Sequence, residues 1–312
     1  MANETSTFSA NARGNIKENV EDAIYTITPS ETIFMNLIKK GECPTDKCEW
    51  LEDSLDTTDA TPVLENSTGT AVAVSQPARK TNYIQRFMEM VQVTRDMEIA
   101  AKYGRKSEIS NLMKKKLKET AIKIEKALLN NVTAASASTS AVGSTMLGVK
   151  GFITTNVESF SGTPSATNLL NETRFNKGVQ ACWDNGGKPN TVMGGGNVVS
   201  TIAGFTGNAR LAINADASKE TVGMAVNFYQ SNFGKLAIYA THYINPTDSS
   251  GTLYDTMFIL DKDRWELAWS EKPIAEKQAE SGLVKPVMIT GACSLKCYNE
   301  AANYKMTNIA RV

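Results

Sequence analysis

Between Ser107 and Val132 the apolar residues Ile109, Met113, Leu117, Ala121, Ile124, Leu128 and Val132 recur at steps of four and three. That spacing puts them on one face of a helix. Ser107 has the right chemistry for an N-cap, and Glu108 suits the positive end of the helix dipole. No Gly or Pro interrupts the run, so the segment predicts a rod of roughly 39 Å. Ile122 and Leu129 lie together on the otherwise polar side, which predicts packing neighbours on both sides of the helix. An ordinary amphipathic core helix is the plainer reading of this stretch taken alone.

The pattern elsewhere is shorter in range. Residues 1–20 are polar and read as an arm with little core of its own, followed by short helical patterns around Ile24, Ile27, Phe34, Leu37 and Ile38, with a turn at Pro29-Ser30-Glu31. Thr45–Leu51 alternates like a strand with Cys48 and Trp50 on one side. Tyr83–Thr94 does so through Tyr83, Phe87, Val91 and Val93. Between them, Asp53 to Ala78 is rich in Thr, Ser, Pro and Asn, which predicts an extended hairpin with a loose tip. So long an excursion in a compact domain is functional or held by a partner.

After the low-complexity run TAASASTSAVGST, Leu169–Trp183 predicts a helix stopped by Asn185-Gly186-Gly187. Thr191–Met193 is a short apolar run leading into three glycines, Asn197–Ala203 predicts a short helix, and Thr221–Phe228 and Lys235–Tyr243 are strand-like. Together they describe a compact α/β unit of about eighty residues. Met257–Leu260 and Leu267–Trp269 are short apolar runs, Pro273–Ser281 is expected to be helical, and Val284–Tyr298 to be a strand.

Length and composition narrow the class. A chain of 312 residues buries a large core in one elaborate or two small domains, and 41% hydrophobic with 21% charged residues excludes the disordered class. No apolar run reaches the roughly 18 residues of a membrane span. The N-terminal MANETSTFSANARGN lacks the basic-then-apolar pattern of a secretory signal, so a cytosolic origin is expected. Net charge is zero, yet residues 1–65 carry thirteen acids and five bases, and residues 78–126 thirteen bases and six acids. Such blocks predict docking of one part of the chain on another, within or between subunits.

Catalytic chemistry finds little footing. His242 is the sole histidine and falls in a strand-like run, and no nucleophile motif such as G-x-S-x-G is present. Gly194-Gly195-Gly196 follows an apolar run, but no G-K-[ST] follows it, so a turn is the expected reading. Cys43 with Cys48 and Cys293 with Cys297 form two spaced pairs, and Cys182 stands apart. Neither pair has the C-x-x-C knuckle of a zinc site, and Cys293 and Cys297 are expected on diverging positions of a strand. Buried free thiols are therefore expected, with no metal or cofactor. Lys114, Lys115, Lys116, Lys118, Lys123 and Lys126 make the long helix basic, either as a solvated face or as a surface near nucleic acid phosphates. These features favour a structural assembly protein over an enzyme.

The order of landmarks resembles the major capsid proteins of tailed phages, in the podophage-type branch of the HK-97-type (Johnson) fold. The resemblance is carried by Glu21-Asp22-Ala23-Ile24-Tyr25 with Thr28-Pro29-Ser30-Glu31-Thr32, by Glu49-Trp50 with Asp53-Ser54-Leu55, and by Arg79-Lys80-Thr81-Asn82-Tyr83. It continues through Ile124-Glu125-Lys126-Ala127-Leu128-Leu129, Phe233-Gly234-Lys235-Leu236, and Leu260 to Ala268. It ends with Ser294 to Ala302 and Thr307-Asn308-Ile309. Two departures fall in turns. Ala279-Glu280-Ser281-Gly282-Leu283 stands where relatives close a helix in Ala-x-x-Gly-Asp, and Ala302-Asn303-Tyr304 where they have Ala-His-Gly.

The resemblance implies an α+β capsid fold. Residues 1–41 would form an N-terminal arm and short helical segment, 42–94 an extended β-hairpin loop, and 95–159 a peripheral domain with spine helix 107–132. Residues 160–250 would form an α/β axial domain and 251–312 the return strands of the peripheral domain and a tail. It implies pentamers and hexamers of the chain itself, closed into an icosahedral shell around double-stranded DNA. Portal and scaffolding or decoration proteins are the other implied partners, with no membrane. Asp46, Glu49, Glu52 and Asp53 on the loop would then lie beside Lys114, Lys115, Lys116 and Lys118 of a different subunit, unless those lysines face DNA. Trp50 is a further candidate contact between subunits, and Ile122 and Leu129 are candidates for contact with another layer or subunit. A shell of the same fold around cargo enzyme, and a cytosolic thiol or metal enzyme, are the rival readings.

Overall fold

The computed structural model describes residues 32–55, 62–68, 76–100, 107–136, 143–160, 169–205, 210–211, 228–244, 247–249, 252–280 and 282–311. The expected N-terminal arm, most of the hairpin tip, part of the 133–145 run and the strand at 221–227 lie outside them.

Two sheets organise the chain. The smaller has four strands in the order β1-β12-β13-β4: Lys39–Glu42, Trp265–Lys277, Val284–Cys297 and Gln85–Thr94. All neighbours are antiparallel except β1 on β12. The larger sheet runs β5-β14-β11-β6-β9-β8-β7: Val157–Ser159, Tyr304–Ala310, Thr252–Leu260, Thr191–Gly194, Gly234–Ala240, Phe228–Ser231 and Arg210–Leu211. A short β10 (Thr247–Ser249) pairs with β11. Strands β2 (Lys47–Glu52) and β3 (Ala78–Tyr83) form a separate antiparallel hairpin. The helices are α1 (Ile33–Leu37), α2 (Arg95–Ile99), α3 (Glu108–Asn130), α4 (Val149–Phe152), α5 (Glu172–Asp184) and α6 (Gly196–Ala203).

The long helix forms where periodicity predicts it. The Ser107 hydroxyl accepts from Ser110 N–H at 3.3 Å, and Glu98 from α2 adds a carboxylate cap on the Glu108 and Ile109 N–H groups. Ile124, Ala127, Leu128 and Leu129 are buried against the four-stranded sheet and α1, while Ile109, Met113, Leu117 and Ala121 are only half-buried. The side chain of Glu125 is fully buried and accepts from Phe34 N–H at 2.7 Å and Met35 N–H at 2.9 Å, so α3 caps the first turn of α1. Burial pushes the Glu125 carboxyl above its usual pKa, against the opposite pull of those N–H groups.

Strand β11 is the wall between two cores. Phe258 and Leu260 enter the core under α3 with Met193 of β6. Met257 and Ile259 enter a second core with Val192, over which α5 and α6 lie. A strand buried on both faces needs a continuous apolar run, and Met257–Leu260 supplies it. Helix α5 presents Phe175, Val179 and Cys182 to this core. It ends as expected at Asn185, where Gly186 takes φ of 74°, a backbone region that costs glycine little.

Three expectations about the C-terminal third are corrected. Residues 273–277 are strand rather than helix: Ile274–Lys277 pair with Val287–Thr290, and Pro273 sits in a register shift where no ladder N–H is needed. Strands β11 and β14 belong to the larger sheet, and only β12 and β13 return to the sheet under α3. His242 lies past the end of β9 and is exposed.

The two departing turns are ordinary ones. Gly282, with φ of 63°, takes the β12–β13 turn. A single 3-10 turn, Glu300–Ala302, leads to Asn303, which is in extended conformation.

Candidate assembly surfaces

The β2–β3 hairpin is fastened at its root by one amide. Asn82 is buried; its Nδ2 donates to Leu295 O at 2.7 Å and Leu147 O at 3.1 Å, and its Oδ1 accepts from Leu147 N–H at 2.8 Å. The Ser294 hydroxyl donates to Tyr83 O at 2.9 Å, and Cys43, Cys48, Ile84, Ala268 and Ala292 close a small apolar cluster beneath. Cys43 and Cys48 are joined by a disulfide, which corrects the expectation of free thiols; their Cα atoms are 5.9 Å apart, within reach of a bridge.

Cys182, Cys293 and Cys297 are free and buried. Cys293 and Cys297 share one face of β13, pointing with Leu295 into the core, rather than diverging. An even separation within a strand returns to the same side. Burial pushes the Cys182 and Cys293 thiols up to about 12 and Cys297 higher still, which holds all three protonated and inert at neutral pH. Among the described residues no three His, Cys, Asp or Glu side chains are placed to hold a metal ion, and no helix is long and apolar enough to cross a membrane.

Beyond its root the hairpin carries charge and apolar surface together. Glu49 is exposed and pairs with Lys47 at 2.6 Å and Arg79 at 3.5 Å. Glu52 accepts from Trp50 Nε1 at 3.1 Å and lies 4.0 Å from Lys80. Asp46 and Asp53 are exposed, the latter accepting from Ser54 N–H. Trp50 is buried against Phe152, with ring centroids 6.2 Å apart, and is committed to its own subunit. Leu55 is 90% and Leu64 80% exposed, with Leu51 and Val63 also open to solvent.

Helix α3 divides its lysines. Lys114, Lys115 and Lys118 are exposed. Lys116 lies 2.6 Å from Glu119 and 3.7 Å from Glu89 of β4, and Lys123 also pairs closely with Glu89. Leu129 is fully buried in the subunit's own core, which leaves it no surface for another subunit; Ile122 is half-buried against the same core. Sequence reasoning missed Glu89. Its signal was a charge at an odd-numbered position of β4, among Phe87, Val91 and Val93, on the face that meets α3. Glu89→Ala should destabilise the subunit by about 1–2 kcal/mol in urea unfolding, a cost that shrinks in high salt; an unchanged midpoint would remove Glu89 as the tie between sheet and helix.

The opposite face of β4 is open and sets two methionines between Arg86 and Gln92. Met88 is 69% and Met90 52% exposed; Thr290 and Met288 of β13 stand opposite them, and Ile274 of β12 stands opposite Thr290.

The fold matches solved structures over nearly its whole length. A structure of Mycobacterium phage Adephagia aligns with a TM-score of 0.63 and 10% identity, covering 96% of this chain and 98% of that one. The capsid of a native GTA particle aligns at 0.61 with 10% identity, over 96% of this chain and 98% of that one. The holo-SrpI encapsulin complex of Synechococcus elongatus PCC 7942 aligns at 0.61 with 8% identity, over 98% of this chain and 96% of that one. These likenesses show the HK-97-type fold. Comparison with curated proteins finds no match. The family model described as SU10 major capsid protein matches residues 1–310, almost every residue over which the fold and its open apolar surfaces are built; the chain belongs to the SU10 major capsid protein family.

Proposed function

We propose that the chain acts by self-association alone, as the shell subunit of a tailed phage made in the host cytoplasm. Pentamers and hexamers close into an icosahedral container for double-stranded DNA. The observation that carries this reading is the hairpin: Leu51, Leu55, Val63 and Leu64 lie exposed on one excursion whose root is firmly anchored. Exposed apolar groups gathered on one projecting element fit a surface that a neighbouring subunit covers.

In this reading α3 is the spine of a peripheral domain and residues 42–94 the loop that reaches a neighbour. Residues 1–41 form an arm, and 160–250, completed by β11 and β14, the axial domain. Portal and scaffolding or decoration proteins are the further partners. No catalytic step is assigned, consistent with three thiols held protonated by burial.

Electron microscopy of the chain expressed alone tests the reading. Shells, tubes or capsomers are expected, and a uniform small oligomer with bound metal would overturn it. The likeness to the Synechococcus encapsulin favours one rival, a shell around protein cargo, and the nucleic acid content of particles decides between them.

Electrostatics supplies a finer test. Because Lys116, Glu49 and Glu52 are engaged within their own subunit, docking onto a neighbour falls to Lys114, Lys115 and Lys118 against Asp46 and Asp53. Reversing these three charges together should slow assembly at low salt and matter less as salt rises. Assembly unchanged at every salt concentration would exclude the contact.

A further inference from the structure

We propose that Cys43 and Cys48 form a redox latch at the hairpin root, open while shells assemble in the reducing cytoplasm and closed once particles leave it. The inference rests on the capsid reading. Its observations are the position of the bond and the environment of each sulfur.

Cys43 follows β1, and its N–H donates to Trp269 O at 2.9 Å, so it belongs to the fixed four-stranded sheet. Cys48 is the second residue of β2 and belongs to the hairpin. The bond therefore joins the platform to the projecting arm across the turn Pro44–Lys47. Without it, that joint is held by Ile84 N–H on Asp46 O at 3.3 Å, by Trp50 packed on Phe152, and by the Asn82 and Ser294 contacts on the other strand. Reduction leaves the hairpin attached but frees the β1–β2 corner. Assembly needs that freedom, since each hairpin must find its seat on a neighbour.

Access is one-sided. An open cleft of about 340 Å³ is lined by Cys43 together with Glu42, Thr45, Lys47, Glu49 and Lys296, and Cys48 is not part of its wall. Cys43 keeps 5% of its surface exposed against 1% for Cys48, so an incoming small disulfide such as glutathione disulfide meets Cys43 first. The Cys43 thiolate attacks one sulfur of glutathione disulfide and expels one glutathione thiolate, leaving a mixed disulfide. The Cys48 thiolate then attacks Cys43 Sγ and expels the second. One disulfide is consumed, one is made, and the two protein protons end on two glutathiones. Cys182, Cys293 and Cys297 are sealed in the two cores and take no part. Cytoplasmic proteins seldom keep such a bond, and released particles meet no reductant.

The test uses shells formed by the full chain in a bacterial cytoplasm, confirmed by microscopy. Acid-quenched lysate, denatured and treated with N-ethylmaleimide, should show Cys43 and Cys48 labelled. The same shells, held in glutathione disulfide before quenching, should show both protected while the other three cysteines still label. Bonded cysteines in the cytoplasmic sample, or labelled ones after oxidation, would overturn the latch. As a second readout, Cys43→Ser/Cys48→Ser shells should form normally and lose their integrity on heating sooner than oxidised wild-type shells, a difference abolished by reductant. Equal survival without reductant would also overturn it. Failure of the wild-type chain to form any shell counts against the capsid reading instead.

Discussion

Asn82→Ala should cost the subunit about 3–5 kcal/mol, since roughly 1–3 kcal/mol attaches to each buried polar group left unpaired. The substitution removes the side-chain partner of Leu147 N–H and Leu147 O, which are half-buried, and of Leu295 O, which is buried. Asn82→Asp should be no better, because it places carboxylate oxygens against two carbonyl oxygens. Hydrogen exchange is the discriminating measurement. Protection should fall across β2 and β3 while the core under α3 stays protected, and shell yield should drop with it. A loss below about 1 kcal/mol, with protection unchanged, would show that the hairpin is held by its apolar cluster and not by the amide.

The second large effect is expected at Asn303. This residue is fully buried where the two sheets meet. Its Oδ1 accepts from Trp265 Nε1 at 2.9 Å and from Asp261 N–H at 3.0 Å, and its Nδ2 donates to Asn299 O at 2.9 Å. Asn303→Ala leaves an indole N–H and a backbone N–H unpaired beside the largest buried ring in the chain, a loss of about 3–4 kcal/mol. Urea unfolding reads the energy, and a red shift of tryptophan emission reads water reaching Trp265. An unshifted spectrum with a normal midpoint would mean that the turn supports itself.

Both residues illustrate what the sequence made legible. Asn82 lay within a quoted landmark and Asn303 was marked as a departure, yet neither could be assigned a partner. Their hydrogen bonds span 65 and 213 positions for Asn82, and 38 and 42 for Asn303. Local pattern carries no information over such distances. It did carry α3, α5, α6, β2, β6 and β13, whose periodicity and caps are encoded within a few residues. The segment from Pro273 failed for the opposite reason: Ala275-Glu276-Lys277-Gln278 favours a helix locally, and pairing with β13 overrides that preference. The lysines of α3 were visible as a face. Only the fold separates Lys116, spent on Glu89, from Lys114, Lys115 and Lys118.

Strand β11 has a mechanical meaning for a container. Alternate side chains of one strand fill two cores, so neither core can loosen while the other stays intact. A push on the larger sheet from a neighbouring subunit is met by both cores through Met257–Leu260. The subunit therefore yields as one stiff tile, and any bending of the shell is left to the joints between tiles.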